Sequence, residues 1–121
     1  YYDPNCYLTL SYCMDRMNLS ILNNDGIKSY SDGVKRIKHD TEVMLIGYDT
    51  DYLIPCDELQ ELSVILGDRQ NSKVYYEMLH SIYGHDTFLI GHQMDQLNYR
   101  LKPFLDKGIH EVYSVVKDLQ G

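Results

Sequence analysis

Basic residues are scarce in this sequence, and it contains no long apolar run. Eleven Lys and Arg stand against eighteen Asp and Glu, which leaves a formal net charge of −7. Binding to a phosphate backbone requires a basic surface, so this balance argues against nucleic acid as a partner. The apolar run VMLIGY, residues 43–48, is far shorter than the ~20 residues of a membrane span. The first residues also lack the basic segment of a signal peptide, so we expect a soluble, cytoplasmic protein that contacts no membrane.

Cysteine is scarce too, with only Cys6, Cys13 and Cys56 in a chain of 121 residues. They form no C-x-x-C pair and no Cys/His cluster, so the sequence indicates neither a disulfide framework nor a metal site. We expect three reduced and buried thiols, no metal and no bound cofactor. The length allows one domain-sized core at most.

Apolar periodicity predicts helices in the first third of the chain. Residues 7–17 carry apolar side chains at helical spacing, which predicts an amphipathic helix. Turn-forming residues then predict a loop at about residues 23–30. Ser31 or Asp32 is placed to cap a short helix that runs to residue 37.

A βαβ unit is predicted in the middle of the chain. The string TEVMLIGYDTD, residues 41–51, is a continuous apolar run bounded by polar residues, which is typical of a parallel strand buried on both faces. A helix follows Pro55 and ends at Gly67, with one apolar face formed by Leu59, Leu62, Ile65 and Leu66. The string KVYYEML, residues 73–79, is the second strand, joined by a right-handed crossover. These elements indicate the α/β class.

A final helix is predicted over residues 92–105, where Pro103 should force a kink or an early end.

Polar side chains follow both predicted strands. His85 comes 34 positions after Asp51, and parallel strands place their carboxyl ends at one edge of a sheet, about 4.8 Å apart. A carboxylate that accepts the Nδ1 hydrogen of an imidazole leaves Nε2 as a general base. The alternative is that Asp51 caps a helix and His85 is an ordinary polar loop residue. Gly84 permits unusual backbone angles directly before His85, and the neighbouring rings of Tyr83 and Phe88 are placed to desolvate the imidazole.

The strings themselves add a resemblance. VMLIGYDTDYLIPCDELQELSVIL and SIYGHDTFLI resemble the C-terminal part of the homoserine O-acetyltransferase family, acyltransferases with an α/β-hydrolase fold, whose mostly parallel sheet is flanked by helices. That family has a D-S-D or T-T-D-like turn followed by an apolar pair and Pro, and a later Y-G-H-D-x-F-L string. Residues 1–15 resemble the F-D-A-N-S-Y-L-Y-L segment at the end of its helical cap. The resemblance implies the end of the cap and a return loop over residues 1–30, and the C-terminal part of the core over residues 31–121.

The resemblance also implies roles for single residues. Asp51 corresponds to the acid of a Ser-Asp-His triad and His85 to its base, with Asp49 the weaker candidate for the acid. Asp86 corresponds to a carboxylate that helps to hold the amino group of homoserine, which suits an ammonium group chemically, although Asp86 could equally cap the following helix. The implied substrates are acetyl-CoA and L-homoserine, in methionine biosynthesis, and succinyl-CoA or another alcohol acceptor stays open. A homodimer through the cap helices of the full-length protein also stays open.

One part of the family pattern is absent. No serine is bracketed by glycines in a G-x-S-x-G elbow, and since this fold orders its triad Ser, Asp, His, the nucleophile is expected upstream of residue 1. Ser81 lies on the wrong side of the strand–loop junction to replace it. The resemblance therefore leaves alternatives: a non-catalytic, truncated or degenerate fragment, or an esterase or other O-acyltransferase of the same fold.

Overall fold

The computed structural model divides into two compact units, Tyr1–Ile37 and Lys38–Gly121. Their assignment to a cap over residues 1–30 and a core over residues 31–121 stays a prediction. The residues that the structure describes are 3–17, 29–69 and 73–120.

Helix α1 (Pro4–Asp15) lies in the first unit. The Asp3 carboxylate accepts the Asn5 N–H at 2.9 Å, and Pro4 occupies the first turn, where its missing N–H removes no helical bond. The predicted helix is confirmed, although it begins three residues earlier than predicted and ends two earlier. No residue of α1 is buried. Its large apolar side chains are more than half exposed, namely those of Tyr7, Leu8, Leu10, Tyr12 and Met14.

The three cysteines are free, but they are not buried, although burial was expected for them. Cys6 and Cys13 are exposed on α1, and Cys56 is half-buried. The prediction of burial is wrong for α1 because that helix has no buried face, so apolar character does not translate into burial there.

Helix α2 (Tyr30–Lys35) follows in the same unit. Its cap is Ser29, whose hydroxyl oxygen accepts the Asp32 N–H at 3.2 Å. The predicted caps Ser31 and Asp32 are wrong, because both lie inside the first turn, where the Asp32 charge suits the positive end of the helix dipole. Of the predicted loop, residues 23–28 lie outside the described residues, and Tyr30 is helical.

The second unit contains the predicted βαβ arrangement. Strand β1 (Glu42–Tyr48) and strand β2 (Lys73–Leu79) pair in parallel over their whole lengths, and helix α3 (Cys56–Gly67) connects them. The register sets the last residues of the strands, Tyr48 and Leu79, opposite each other. Both strands therefore end at the same edge, as the sequence predicts.

Different helices cover the two faces of this sheet. A Cβ atom on Gly47 would lie 2.8 Å from both Cys56 Sγ and Leu59 Cδ1, so glycine is what lets α3 approach β1 on one face. The other face carries the core cluster, which consists of buried Tyr75, Ile109 and Val112 with half-buried Met44, Ile46, Phe104 and Val116. Cover is incomplete: five of the seven residues of β1 are only half-buried, and β2 has three half-buried and two exposed residues, which corrects the prediction of full burial on two faces.

The C-terminal part contains an α-helix that is absent from the predicted elements, in addition to two short 3₁₀ helices. Helix α4 (Asp95–Lys107) continues past Pro103, so of the two predicted outcomes, a kink or an early end, the early end does not occur. Gly108, with φ of +89°, turns the chain into helix α5 (Ile109–Gln120), which the sequence analysis missed. The start of α5 is fixed from β1, because a Glu42 carboxylate oxygen accepts the Ile109 N–H at 3.1 Å.

A charged cluster joins α4 to β2. The Arg100 guanidinium binds both carboxylate oxygens of Glu77, through Nη2 to Oε1 at 2.8 Å and through Nε to Oε2, and Tyr75 donates its hydroxyl hydrogen to Oε2. Burial raises the pKa of Glu77, but the bonds from Arg100 and Tyr75 outweigh it and hold the pKa below its usual value. Burial and the Glu77 carboxylate raise the pKa of Tyr75. The cluster therefore ties the middle of α4 to β2.

Candidate functional site

The turn after β1 presents two carboxylates on either side of a threonine. The Asp49 N–H donates to the Leu79 carbonyl at 2.9 Å, which extends the parallel ladder one step beyond the strands. The Asp51 N–H donates back to the Tyr48 carbonyl at 3.0 Å, which closes the turn. Residues 49–51, called the β1 turn below, thus lie directly against the segment that follows β2.

The Asp51 carboxylate is buried, with 4% of the residue exposed. Its Oδ1 accepts two backbone hydrogen bonds, from Leu53 N–H at 3.0 Å and from Ile54 N–H at 2.9 Å. Its Oδ2 lies 2.8 Å from His85 Nδ1. Burial raises the pKa of Asp51, but the bonds from Ile54, His85 and Leu53 outweigh it and hold the pKa below its usual value. Asp51 is therefore a buried, ionised carboxylate with one oxygen directed at an imidazole, and it does not cap α3, which has no side-chain cap.

His85 lies in a short 3₁₀ helix, Gly84–Leu89, that follows β2. Because its Nδ1 faces Asp51, Nε2 is the ring nitrogen left for proton transfer. The Phe88 ring meets the imidazole edge-on, with the centroids 5.7 Å apart, so one of the two rings predicted to lie beside it does so. Tyr83 does not share this role, since its ring contacts His92 instead. The His85 side chain remains 40% exposed.

Gly84 adopts the left-handed backbone conformation that the sequence analysis allowed for it, with φ of +57°. A Cβ atom there would lie 3.1 Å from the Thr50 carbonyl oxygen, so the chain before His85 passes close to the β1 turn.

Three hydroxyl groups that the sequence analysis did not assign to the site hold this loop. Thr50 Oγ1 accepts the Gly84 N–H at 3.0 Å and donates to the Ser81 carbonyl oxygen. Thr87 is fully buried, and its Oγ1 lies 2.6 Å from the Gly84 carbonyl oxygen and 2.6 Å from Ser81 Oγ. Ser81 Oγ also accepts the Tyr83 N–H at 3.1 Å, so this serine is buried and engaged in the loop. The sequence signal that could have identified the two threonines is their position, since each lies within two residues of Asp51 or His85.

A second Asp–His pair stands beside the first. Asp49 Oδ2 lies 2.6 Å from His80 Nδ1, and Asp49 Oδ1 accepts the Ser81 N–H at 3.0 Å. The bond from His80, followed by that from Ser81, lowers the pKa of Asp49. The His80 side chain is 77% exposed and that of Asp49 30% exposed, against 40% and 2% for His85 and Asp51. A hydrogen-bonded pair in solvent is weakly held, so Asp51–His85 is the better-ordered of the two.

Asp86 is exposed beside His85, in the first turn of the 3₁₀ helix. That helix and α4 begin without a side-chain cap, so Asp86 caps neither of them. Its contact with a substrate stays a prediction.

Within residues 3–17, 29–69 and 73–120, no group of three or more His, Cys, Asp or Glu side chains is arranged to hold a metal ion. The same residues contain no helix that is long and apolar enough to span a membrane.

Comparison with known proteins gives one consistent result. The chain is 33% identical over 108 residues to a protein named homoserine O-acetyltransferase from Methanobrevibacter ruminantium, a match that covers 89% of this chain and 20% of that protein. Proteins of the same name from Methanohalobium evestigatum and Methanosphaerula palustris are each 34% identical, over 86% and 99% of this chain and 19% and 21% of theirs. No family model matches the chain.

The resemblance predicted from the sequence is therefore confirmed: this chain is similar over most of its length to proteins named homoserine O-acetyltransferase. It spans about a fifth of the length of those curated relatives. The structure brings Asp51 and His85 together, while their catalytic roles stay a prediction.

Proposed function

We propose that this chain is the C-terminal portion of an acyltransferase of the α/β-hydrolase fold that moves an acetyl group from acetyl-CoA to the hydroxyl of L-homoserine. The observation that carries the proposal is the buried Asp51 carboxylate 2.8 Å from His85 Nδ1, at the ends of adjacent parallel strands. Open α/β sheets place their active sites at that edge. Similarity to proteins named homoserine O-acetyltransferase supports the choice of reaction.

The proposed mechanism has two half-reactions. In the first, His85 Nε2 takes the proton from a serine hydroxyl, whose oxygen attacks the thioester carbonyl of acetyl-CoA. The serine lies in the part of the protein that precedes this chain, and CoA leaves with the proton that His85 returns to its sulfur. In the second, His85 takes the proton of the homoserine hydroxyl, whose oxygen attacks the acetyl-serine ester. His85 then returns that proton to the serine oxygen as it leaves, which restores both residues.

Asp51 has a defined part in both half-reactions. Its Oδ2 accepts the Nδ1 hydrogen, which holds the imidazole in the tautomer whose Nε2 is unprotonated. It also stabilises the imidazolium that forms each time Nε2 takes a proton. The two backbone bonds to Oδ1 keep the carboxylate still while this happens.

Release of CoA from acetyl-CoA by the full-length protein tests this function, measured with and without L-homoserine. We expect turnover that depends on homoserine and yields O-acetylhomoserine. Ester hydrolysis without any use of acetyl-CoA would instead make the protein an esterase, and no turnover of either kind would favour a non-catalytic role.

His85→Ala should lower homoserine-dependent turnover by about 10³-fold or more, because removal of a triad base leaves only binding and oxyanion stabilisation. His80→Ala is the matched control: it removes a histidine with the same kind of carboxylate partner, 77% exposed, and should leave turnover nearly unchanged. A His85→Ala protein that keeps most of its activity would remove His85 from the mechanism.

A further inference from the structure

Gly84, the residue directly before His85, is held at both of its backbone polar groups by threonine hydroxyls. Thr50 Oγ1 accepts its N–H at 3.0 Å, and Thr87 Oγ1 lies 2.6 Å from its carbonyl oxygen. The first contact crosses from one strand end to the other, since Thr50 lies between Asp49 and Asp51 in the β1 turn. The second is local, within the 3₁₀ helix that contains His85.

Thr50 also holds the start of the same loop. Its hydroxyl hydrogen goes to the Ser81 carbonyl oxygen, so one hydroxyl group bridges two points of the segment that leads to His85. Donor and acceptor capacity are both used, which gives the Thr50 side chain a defined orientation. The β1 turn thereby supplies the carboxylate partner of His85 through Asp51 and the anchor of its backbone through Thr50.

The close approach of the two chains makes this anchor specific. Gly84 has a left-handed backbone conformation and lies close to the Thr50 carbonyl oxygen. A Cβ atom added to Gly84 would be 3.1 Å from that oxygen. A side chain that pushed the loop away from the β1 turn would move the whole segment up to His85. The hydroxyl-to-amide bond opposes that movement directly.

We propose that Thr50 is a positioning residue for His85: it holds Gly84 against the β1 turn so that His85 Nδ1 stays at hydrogen-bond distance from Asp51. The proposal rests on the proposed function for its effect on turnover. Its effect on the Asp51–His85 bond itself is independent of any reaction. A displacement of about 1 Å in a catalytic group can cost about 10²-fold in rate, so a modest loop shift has a measurable effect.

Thr50→Val is the decisive variant, because valine keeps the shape of threonine and removes both hydrogen bonds. In the full-length protein we expect kcat for acetyl transfer to fall about tenfold to a hundredfold, with KM for both substrates within about twofold of the wild-type value. Thr50→Ser keeps the hydroxyl and should restore kcat to within about threefold. Thr41→Val, at an exposed threonine just before β1, is the matched control and should match the wild type.

A spectroscopic signature separates positioning from general stability. The Nδ1 hydrogen of His85 should give a far-downfield proton resonance, assigned by its loss in His85→Ala and its retention in His80→Ala. We expect this resonance to shift upfield or broaden in Thr50→Val and to return in Thr50→Ser. Thr50→Ala is the second hydroxyl-free variant, for use if Thr50→Val does not fold.

Each outcome bears on the proposal. A folded hydroxyl-free variant with wild-type kcat and an unchanged resonance would overturn it. Loss of cooperative melting in both hydroxyl-free variants would also overturn it, because the hydroxyl would then be required for folding alone. Full activity of His85→Ala would instead defeat the proposed function, and the resonance would still decide the role of Thr50.

Discussion

The Asp51 carboxylate has different partners at its two oxygens, and this division leads to a sharp test at the scale of a single residue. Asp51→Asn in the full-length protein should lower acetyl transfer by about 10³- to 10⁴-fold, because an amide nitrogen opposite Nδ1 favours the wrong imidazole tautomer. One amide oxygen can still accept the Leu53 and Ile54 N–H groups, so the fold should persist. Steady-state kinetics together with a thermal melt would measure both effects.

Asp49→Asn provides the matched control for that variant. Its amide oxygen can still accept the Ser81 N–H, and the exposed contact with His80 contributes little, so activity should stay within about threefold. If Asp49→Asn proves the costly change and Asp51→Asn the mild one, the choice of carboxylate is wrong.

Asp86 leads to a prediction that divides the two half-reactions. Asp86→Ala should raise the homoserine concentration needed for turnover and spare acetyl-enzyme formation from acetyl-CoA, because a carboxylate contributes to binding an ammonium group and not a thioester. Rapid-quench measurement of the acetyl-enzyme would check the first half-reaction by itself. Equal loss in both half-reactions would contradict an amine-binding role.

At this scale the sequence predicts the contacts that follow from strand pairing, and it does not predict the contacts that depend on the path of a loop. That Asp51 and His85 approach each other follows from parallel pairing, and the freedom of Gly84 follows from its lack of a side chain. The roles of Thr50 and Thr87 depend on the exact path of a loop, since a hydroxyl can bond in many directions. The same reason explains why Phe88 faces His85 while Tyr83 turns to His92.

At the scale of elements, the Glu77–Arg100 pair is the main polar connection between β2 and α4. Arg100→Met should lower the free energy of unfolding by about 2–4 kcal/mol, because Arg100 is 6% exposed and its loss leaves a half-buried carboxylate without its cation. Urea unfolding of the full-length protein would measure this. Lys107→Met, which removes an exposed contact at 3.9 Å with Glu111, should change stability by less than about 0.5 kcal/mol.

The Glu77–Arg100 pair also predicts how the stability of the fold changes with pH. The pKa of Glu77 is lowered in the folded protein, so its contribution to stability is present above the ordinary glutamate value of about 4 and is lost as the pH falls below it. Asp51, whose pKa is also lowered, adds to the loss in the same range. Arg100→Met should therefore lose less stability than the wild type between about pH 5 and pH 3, and a steeper loss in the variant would contradict this origin.

Regular elements with long apolar patterns were the most predictable part of the fold. The bounds of β2 are as predicted, and α3 ends at Gly67 as predicted. Helix α5 is absent from the predicted elements, which end at residue 105, although Ile109, Val112 and Val116 have helical spacing. Proline removes one bond from α4, but packing between α4 and α5 sustains the helix to Lys107.

At the scale of the whole molecule, many large apolar side chains of the described residues are exposed, whereas eight apolar residues are buried. The core cluster has three buried residues, whereas side chains such as Leu8, Val64 and Met78 are more than half exposed. At ~25 cal/mol per Å² of apolar surface, leaving many such side chains exposed forfeits several kcal/mol, which is comparable with the stability of a small domain. Residues 1–121 expressed alone should therefore be molten or poorly soluble, bind a hydrophobic dye, and hydrolyse neither esters nor thioesters.

Dye fluorescence, amide dispersion and a thermal melt of this piece would check that expectation, with the full-length protein as the control. A monomer with a sharp cooperative melt and dispersed amide signals would contradict it and show that the chain is self-sufficient.

The parallel register has a consequence for the order of events in folding. Asp51 and His85 are 34 positions apart, and no local turn can bring them together, because the whole of α3 and both strands lie between or beside them. The entropy of closing that loop is lost before the contact between them forms, which makes the pair a late event. During refolding, helical signal should therefore return ahead of catalysis, and a nascent chain acquires its Asp–His pair only after β2 has emerged and joined β1.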